Sequence, residues 1–223
     1  MKKTILLISA VIFSTIALNA QNKFSFGFEA APHISWASSN TNKVESNGTT
    51  FGIKYGLRGD KFFGDNYAIT SGLMINHTSL NLIYKDSIEF NTVDNDFMAD
   101  SGSAVKYHLQ YLEIPLGLKF QSNEIGYLRV LFEGGFIPAL ELRSKVTADD
   151  YDVDKQELTE GTIPLAISYY FEGGLSYSLG AQLAIKGTLF YSSGMFDITS
   201  DEGDREDRIT HNAFGMKLKI TIT

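Results

Sequence analysis

The 223-residue chain has no cysteine, only four prolines and one tryptophan, and 19 Lys plus Arg against 26 Asp plus Glu. Without cysteine there is no disulfide scaffold, no thiolate metal site and no thiol nucleophile. A formal charge of −7 lacks the basic surface that neutralises phosphates, so no nucleic-acid partner is expected. Long apolar runs are scarce too. Mean hydropathy is near neutral and the one extended apolar segment is N-terminal, which excludes a bundle of transmembrane helices. What the chain has in quantity is 20 Gly, 16 Phe and 11 Tyr.

Residues 1–20 have the layout of a cleaved secretory signal peptide: Lys2 and Lys3, an apolar or small-residue run from Ile5 to Leu18, and Leu18-Asn19-Ala20 before Gln21. The run is too short for a membrane-spanning helix. The expected mature domain is 21–223, with a charge of −9 once the two lysines are lost.

From Phe24 onward the dominant pattern has a period of two, that of a strand with two unlike faces. Phe24, Phe26 and Phe28 alternate with Ser25, Gly27 and Glu29; Phe51, Ile53, Tyr55 and Leu57 with Gly52, Lys54, Gly56 and Arg58. The pattern recurs to the end of the chain, where Phe214, Met216, Leu218, Ile220 and Ile222 alternate with Lys217, Lys219 and Thr221. Eight strands result. In the fourth, Tyr107, Leu109 and Tyr111 have the opposite parity to Leu112, Ile114, Leu116, Leu118 and Phe120, which predicts a bulge near Tyr111.

The connections fall at about 37–48, 60–66, 85–104, 121–126, 146–162, 178–181 and 196–209, so long and short alternate. That asymmetry is expected of an eight-stranded antiparallel up-and-down transmembrane β-barrel in the outer membrane, with short periplasmic turns and long extracellular loops; a soluble β-sandwich has no reason to sort its loops. The second face carries glycine and both signs of charge: Lys54, Arg58, Glu113, Lys119, Arg129, Glu133, Glu141, Arg143, Glu172, Lys186, Lys217 and Lys219. Mixed charge fits a narrow lumen filled by paired side chains. Tyr67, Phe120, Tyr127 and Tyr177 beside short turns, and Trp36, Tyr84, Tyr107 and Tyr191 beside long loops, are placed as two interfacial girdles.

The run Tyr111-Leu112-Glu113-Ile114-Pro115-Leu116, followed by Gly117-Leu118-Lys119-Phe120 and later by Phe132-Glu133-Gly134-Gly135-Phe136, resembles the PorT-like outer-membrane β-barrel family of Bacteroidetes-type bacteria. The resemblance implies an outer-membrane barrel and brings no catalytic residues; the member that gives the family its name is associated with a secretion and gliding apparatus. The chain departs from many such barrels by ending in Ile220-Thr221-Ile222-Thr223 rather than in an aromatic residue.

Candidate chemistry is sparse. The four long loops hold 18 acidic and 5 basic residues, including Asp94, Asp96, Asp149, Asp150, Asp152, Asp154, Asp201, Glu202, Asp204, Glu206 and Asp207. Hard divalent ions prefer such oxygens, but the Asp150-x-Asp152-x-Asp154 spacing has Lys155 where an EF-hand loop needs Gly and Gly161 where it needs Glu, so no metal ligands and no cofactor are assigned. Strand parity points His33, His108 and His211 inward and His77 toward lipid, with Ser35, Ser101, Ser103 and Thr210 nearby in sequence. No nucleophile motif accompanies them, so no catalytic residue is assigned and the chain is not expected to be an enzyme. Gly134-Gly135 and Gly173-Gly174 precede no helix and are expected to serve local bending or close packing as the sheet closes. The expected function is a structural or interaction role in the cell envelope: membrane integrity, adhesion or part of a secretion assembly. Expected partners are outer-membrane lipid and lipopolysaccharide and other envelope proteins, with the barrel monomeric. The alternatives are a narrow channel, a lipid-modifying enzyme and a soluble lipocalin-like barrel.

Overall fold

The computed structural model describes residues 24–39, 43–93, 96–158, 164–180, 182–195 and 209–222; the expected signal peptide lies outside them. Eight long strands form the wall: β1 (Phe24–Ser39), β2 (Thr50–Phe62), β3 (Tyr67–Tyr84), β4 (Ala104–Glu113, resumed at Leu116–Gln121), β5 (Leu128–Ala148), β6 (Leu165–Ser178), β7 (Leu183–Gly194) and β8 (Ile209–Ile222). Each pairs antiparallel with the next. The ring closes because β1 also pairs with β8, so that Phe28 lies between Leu57 on one side and Ile220 on the other. Closure leaves the wall without an open edge.

Alternation decides which side chains face where. Phe26, Phe28, Leu57, Leu73, Leu118, Phe132, Phe171, Leu189, Met216 and Leu218 are all half exposed on the outside, while Glu29, Lys54, Arg58, Glu133, Glu172 and Lys217 are buried within. A soluble lipocalin-like barrel requires the reverse arrangement, with the apolar face lining the cavity. An apolar outer surface of this extent belongs in lipid. Aromatic rings mark both borders. Phe63, Tyr67 and Phe120 adjoin one another near the short turns, as do Tyr127 and Tyr177; Trp36, Tyr191 and Tyr169 form a group near the long connections.

Tyr84 and Tyr107, expected in the upper girdle, are instead buried inside with their hydroxyls 2.7 Å apart. Tyr84 continues the inward even parity of β3, and Tyr107 is inward because β4 itself carries no bulge. In β4 the odd residues from Val105 to Lys119 stay on the inner side throughout, apart from half-buried Gly117, so Tyr111 needs no phase change. The register shift falls where Gln110 pairs with Arg143 and Tyr111 with Glu141, leaving Leu142 of β5 as the extra residue. Above it the inward parity of β5 switches to Ser144, Val146 and Ala148.

The inward Tyr107, Leu109 and Tyr111 join Leu80, Leu82, Tyr84, Val105, Val146 and Ile209 in an apolar core at the long-connection end. A hairpin, Ile88–Phe90 with Phe97–Ala99, lies on that core. Phe90 stacks on Phe97 at 5.0 Å and meets Tyr84 edge-on at 5.9 Å. The described residues of the acidic connection after β3 are thus folded onto the barrel. Described residues of the next long connection are folded too. Asp149–Tyr151 makes one 3-10 turn, and Val153–Glu157 pairs back onto β5. The two connections are tied together: the Tyr151 hydroxyl accepts from the Asp100 N–H at 2.6 Å, and the Val93 N–H donates to the Glu157 carbonyl at 3.0 Å.

Candidate functional site

The site that the barrel builds is its lumen. Six cations (Lys54, Arg58, Lys119, Lys186, Lys217, Lys219) and five carboxylates (Glu29, Asp60, Glu113, Glu133, Glu172) are buried there. Their cross-strand registers sort them into three layers. Nearest the short turns, Asp60 accepts from Lys119 at 2.8 Å, Lys186 at 2.9 Å and Lys219 at 3.0 Å, with Ser25 donating at 3.3 Å. Lys186 and Lys219 stand directly opposite each other, and Asp60 offsets the repulsion that such a like-charge pair brings.

In the middle layer Arg58 is the centre. It bonds Glu133, donates to Thr70 at 3.0 Å and Tyr170 at 3.2 Å, and lies 3.8 Å from Glu29 and 4.0 Å from Glu172. Glu133 and Glu172 face each other across β5 and β6 and tolerate it because Arg58 touches both. Lys217 completes the layer, paired with Glu172 and 3.7 Å from Glu29, while Lys119 links this layer to the one below through Glu133 at 3.1 Å. In the third layer Lys54 binds both Glu113 oxygens, at 3.0 and 3.2 Å, and Asn76 donates to the same carboxylate at 2.8 Å. The Phe190 ring separates the two upper layers, with the Lys217 ammonium 4.9 Å and the Lys54 ammonium 5.7 Å from its centre. The apolar core and hairpin lie beyond. Long charged side chains fit because glycines face them across the strands: Gly56 opposite Glu29, and Gly27 and Gly72 on either side of Arg58.

Nine of the twelve charged residues expected in the lumen are buried there. Arg129 is half-buried at the turn end, 2.6 Å from Glu124, Glu141 is half-buried, and the bulge turns Arg143 to the outside, 3.2 Å from Glu157. Asp60, the centre of the lowest layer, was read as part of a turn; β2 runs two residues further, to Phe62. A signal was present in the sequence, since Asp60 continues the inward parity of Lys54 and Arg58.

The four histidines do not form one site: His33 and His211 neighbour each other on the inner side, while His77 and His108 lie on the outer side. His33 is buried beside Phe190, with Nδ1 3.2 Å from the Ala31 carbonyl. Between His211 and Ser35 stands Thr78, 3.1 Å from the His211 Nε2 and donating to Ser35 at 2.9 Å. His77 stacks on Tyr55 outside. His108, expected inside, shares the outward parity of β4, because the bulge is in β5. Its ring touches the Ser79 hydroxyl at 3.1 Å and the Thr147 hydroxyl at 3.2 Å. Ser101 and Ser103 bond Lys85 and Tyr151, and Thr210 bonds Ser38.

Asp150 and Asp152 lie on the turn before the short strand Val153–Glu157, with Asp152 at φ +56°, and Asp154 lies on that strand. Among the described residues no three His, Asp or Glu side chains are grouped to hold a metal ion. Asp94, Asp201, Glu202, Asp204, Glu206 and Asp207 lie outside the described residues, as does the side chain of Asp149.

A closed eight-stranded ring with an apolar exterior and a charge-filled interior defines a β-barrel of the outer-membrane type. Residues 19–200 match the family described as outer membrane protein beta-barrel domain, and the chain belongs to that family; its place is the outer membrane. Solved structures that it resembles include Neisserial surface protein A (TM-score 0.50, 10% identity, 88% of this chain and 96% of that one) and Ail, the attachment invasion locus protein of Yersinia pestis (TM-score 0.37, 12% identity, 89% and 99%). A third is the outer membrane protease OmpT from Escherichia coli (TM-score 0.47, 8% identity, 91% and 96%). No curated protein matches the chain. The expectation that the chain is not an enzyme is withdrawn, since a protease is among these structures.

Proposed function

We propose that the protein is a sealed barrel that displays a folded surface at its long-connection end, for an interaction or structural role in the envelope: membrane integrity, adhesion or a secretion assembly. The observation that carries this is the filling of the bore by three ion-paired layers and an apolar core, which leaves the outer surface as the part that meets other molecules. A narrow channel is opposed by the same layers, since eight strands leave room only for side chains. Within the family, the Tyr111 to Pro115 run supports a PorT-like member, matured before Gln21 and acting as a monomer. The acidic long connections are extracellular in this proposal, with lipopolysaccharide around the wall and other envelope proteins above it.

Orientation is directly testable because the chain has no cysteine. Glu89 of the hairpin and Asp65 of a short turn are exposed. A membrane-impermeant maleimide is expected to label Glu89→Cys in intact cells and Asp65→Cys only after the outer membrane is permeabilised. The opposite labelling would invert the barrel.

A further inference from the structure

The bulge at Leu142 does more than shift the register: it leaves Leu142 and Arg143 both exposed, re-aiming a side chain as bulges do. Lys145 then stands on the outer wall directly opposite His108, with Lys106 paired to Thr147 one step further along. Lys155, on the adjoining short strand, donates its backbone N–H to Thr147 at 3.1 Å. The charges of Lys106, Lys145 and Lys155 all act on the His108 ring, which places them around one spot. The carboxylates nearby are Glu157, shared between Arg143 at 3.2 Å and Lys145 at 3.9 Å, and Asp154, 3.5 Å from the Thr147 hydroxyl. Four cations therefore stand with two carboxylates around this part of the wall. Grouping like charges across a sheet is destabilising in itself.

Directly below are the exposed side chains of Leu140 and Leu142, so the patch begins where the apolar belt ends. An anion held there lies at the depth of lipid headgroups. Arg143 supplies a planar fork suited to phosphate, and the lysines supply point charges beside it. We infer that the wall around Arg143 and Lys145 binds the phosphate groups of a phosphorylated glycolipid headgroup. The barrel orientation proposed above fixes only which leaflet supplies this lipid, so failed binding and inverted labelling are separate outcomes.

The test is native mass spectrometry of the purified full-length protein in non-ionic detergent, titrated with diphosphorylated lipid A. The variant R143Q/K145Q is expected to bind about tenfold more weakly, the loss of two charge-assisted phosphate contacts. Dephosphorylated lipid A is expected to bind the unaltered protein more weakly by a similar factor. Lys61→Gln, which removes an exposed cation at the end of β2 near the short turn, is expected to change nothing. Unchanged binding in R143Q/K145Q, equal loss in K61Q, or equal affinity for the dephosphorylated lipid would each overturn the inference. So would displacement of the lipid by an equal concentration of inorganic phosphate, which would mark a free-phosphate site. Heat-modifiable gel migration of the variants confirms that the barrel is intact.

Discussion

Asp60→Ala is expected to destabilise the folded barrel by about 3–5 kcal/mol, the range for breaking a buried ion pair from one side. Asp60 is fully buried and is the common partner of three ammonium groups. Removing it leaves Lys186 and Lys219 facing each other without the carboxylate that both contact. Asp60→Asn keeps the shape and loses the charge, so it is expected to fall close to the alanine variant. Adding Lys186→Met and Lys219→Met to Asp60→Ala is expected to restore part of the loss, since unpaired ammoniums rather than missing contacts carry the cost. Urea titration in lipid vesicles measures this, read through Trp36, the only tryptophan, which lies beside Tyr191 on the outer wall. An unchanged urea midpoint for Asp60→Ala would remove the ion-paired lumen as a source of stability.

The second large effect concerns closure. A Cβ on Gly135 would lie 2.1 Å from the Leu116 carbonyl oxygen and 2.6 Å from the Gly117 Cα, both main-chain atoms of the neighbouring strand that cannot move aside. Gly135→Val is therefore expected to abolish recovery of folded barrel. Gly134, its neighbour, faces outward, and its Cβ would meet the Phe171 ring at 3.0 Å, with the Tyr170 carbonyl oxygen at an ordinary 3.6 Å. Gly134→Val is expected to fold, with that ring displaced. The comparison is read from heat-modifiable migration on gels, and equal folding of the two variants would remove the steric account of the inward glycines. Of the bending or close packing expected for this glycine pair, the contacts show close packing, and at Gly135.

Much of the wall was legible from periodicity alone, because a strand between lipid and a charged bore must alternate strictly. Phe24 to Glu29 and Phe214 to Thr221 are plain instances. Periodicity reports that two segments differ in phase without saying which strand carries the extra residue. Tyr107, Leu109 and Tyr111 were set against Leu112 to Phe120 as if both were lipid-facing, when an apolar cap inside the barrel explains the first three. That one exchange put the bulge at Leu142, His108 and Arg143 on the outside, and Tyr107 in the interior; Tyr84 follows from the parity of β3 alone. Asp60 was missed for a different reason: a charged residue next to Lys61 at a strand end looks like turn composition, and only pairing with Ser25 and Thr70 extends the strand past it. Which lysine meets which carboxylate depends on register, and register is a relation between strands that no single segment contains.

A sealed outer-membrane barrel carries no current, which conductance of the purified, folded protein in a planar lipid bilayer at moderate salt measures. The bore is filled at three levels by Asp60, Arg58 and Lys54 with their partners and then covered by the Phe90 hairpin, so the predicted record is a flat baseline without unitary steps. Reproducible steps of constant size that vanish on heat denaturation would contradict it, and would make the lumen a pathway instead of a plug.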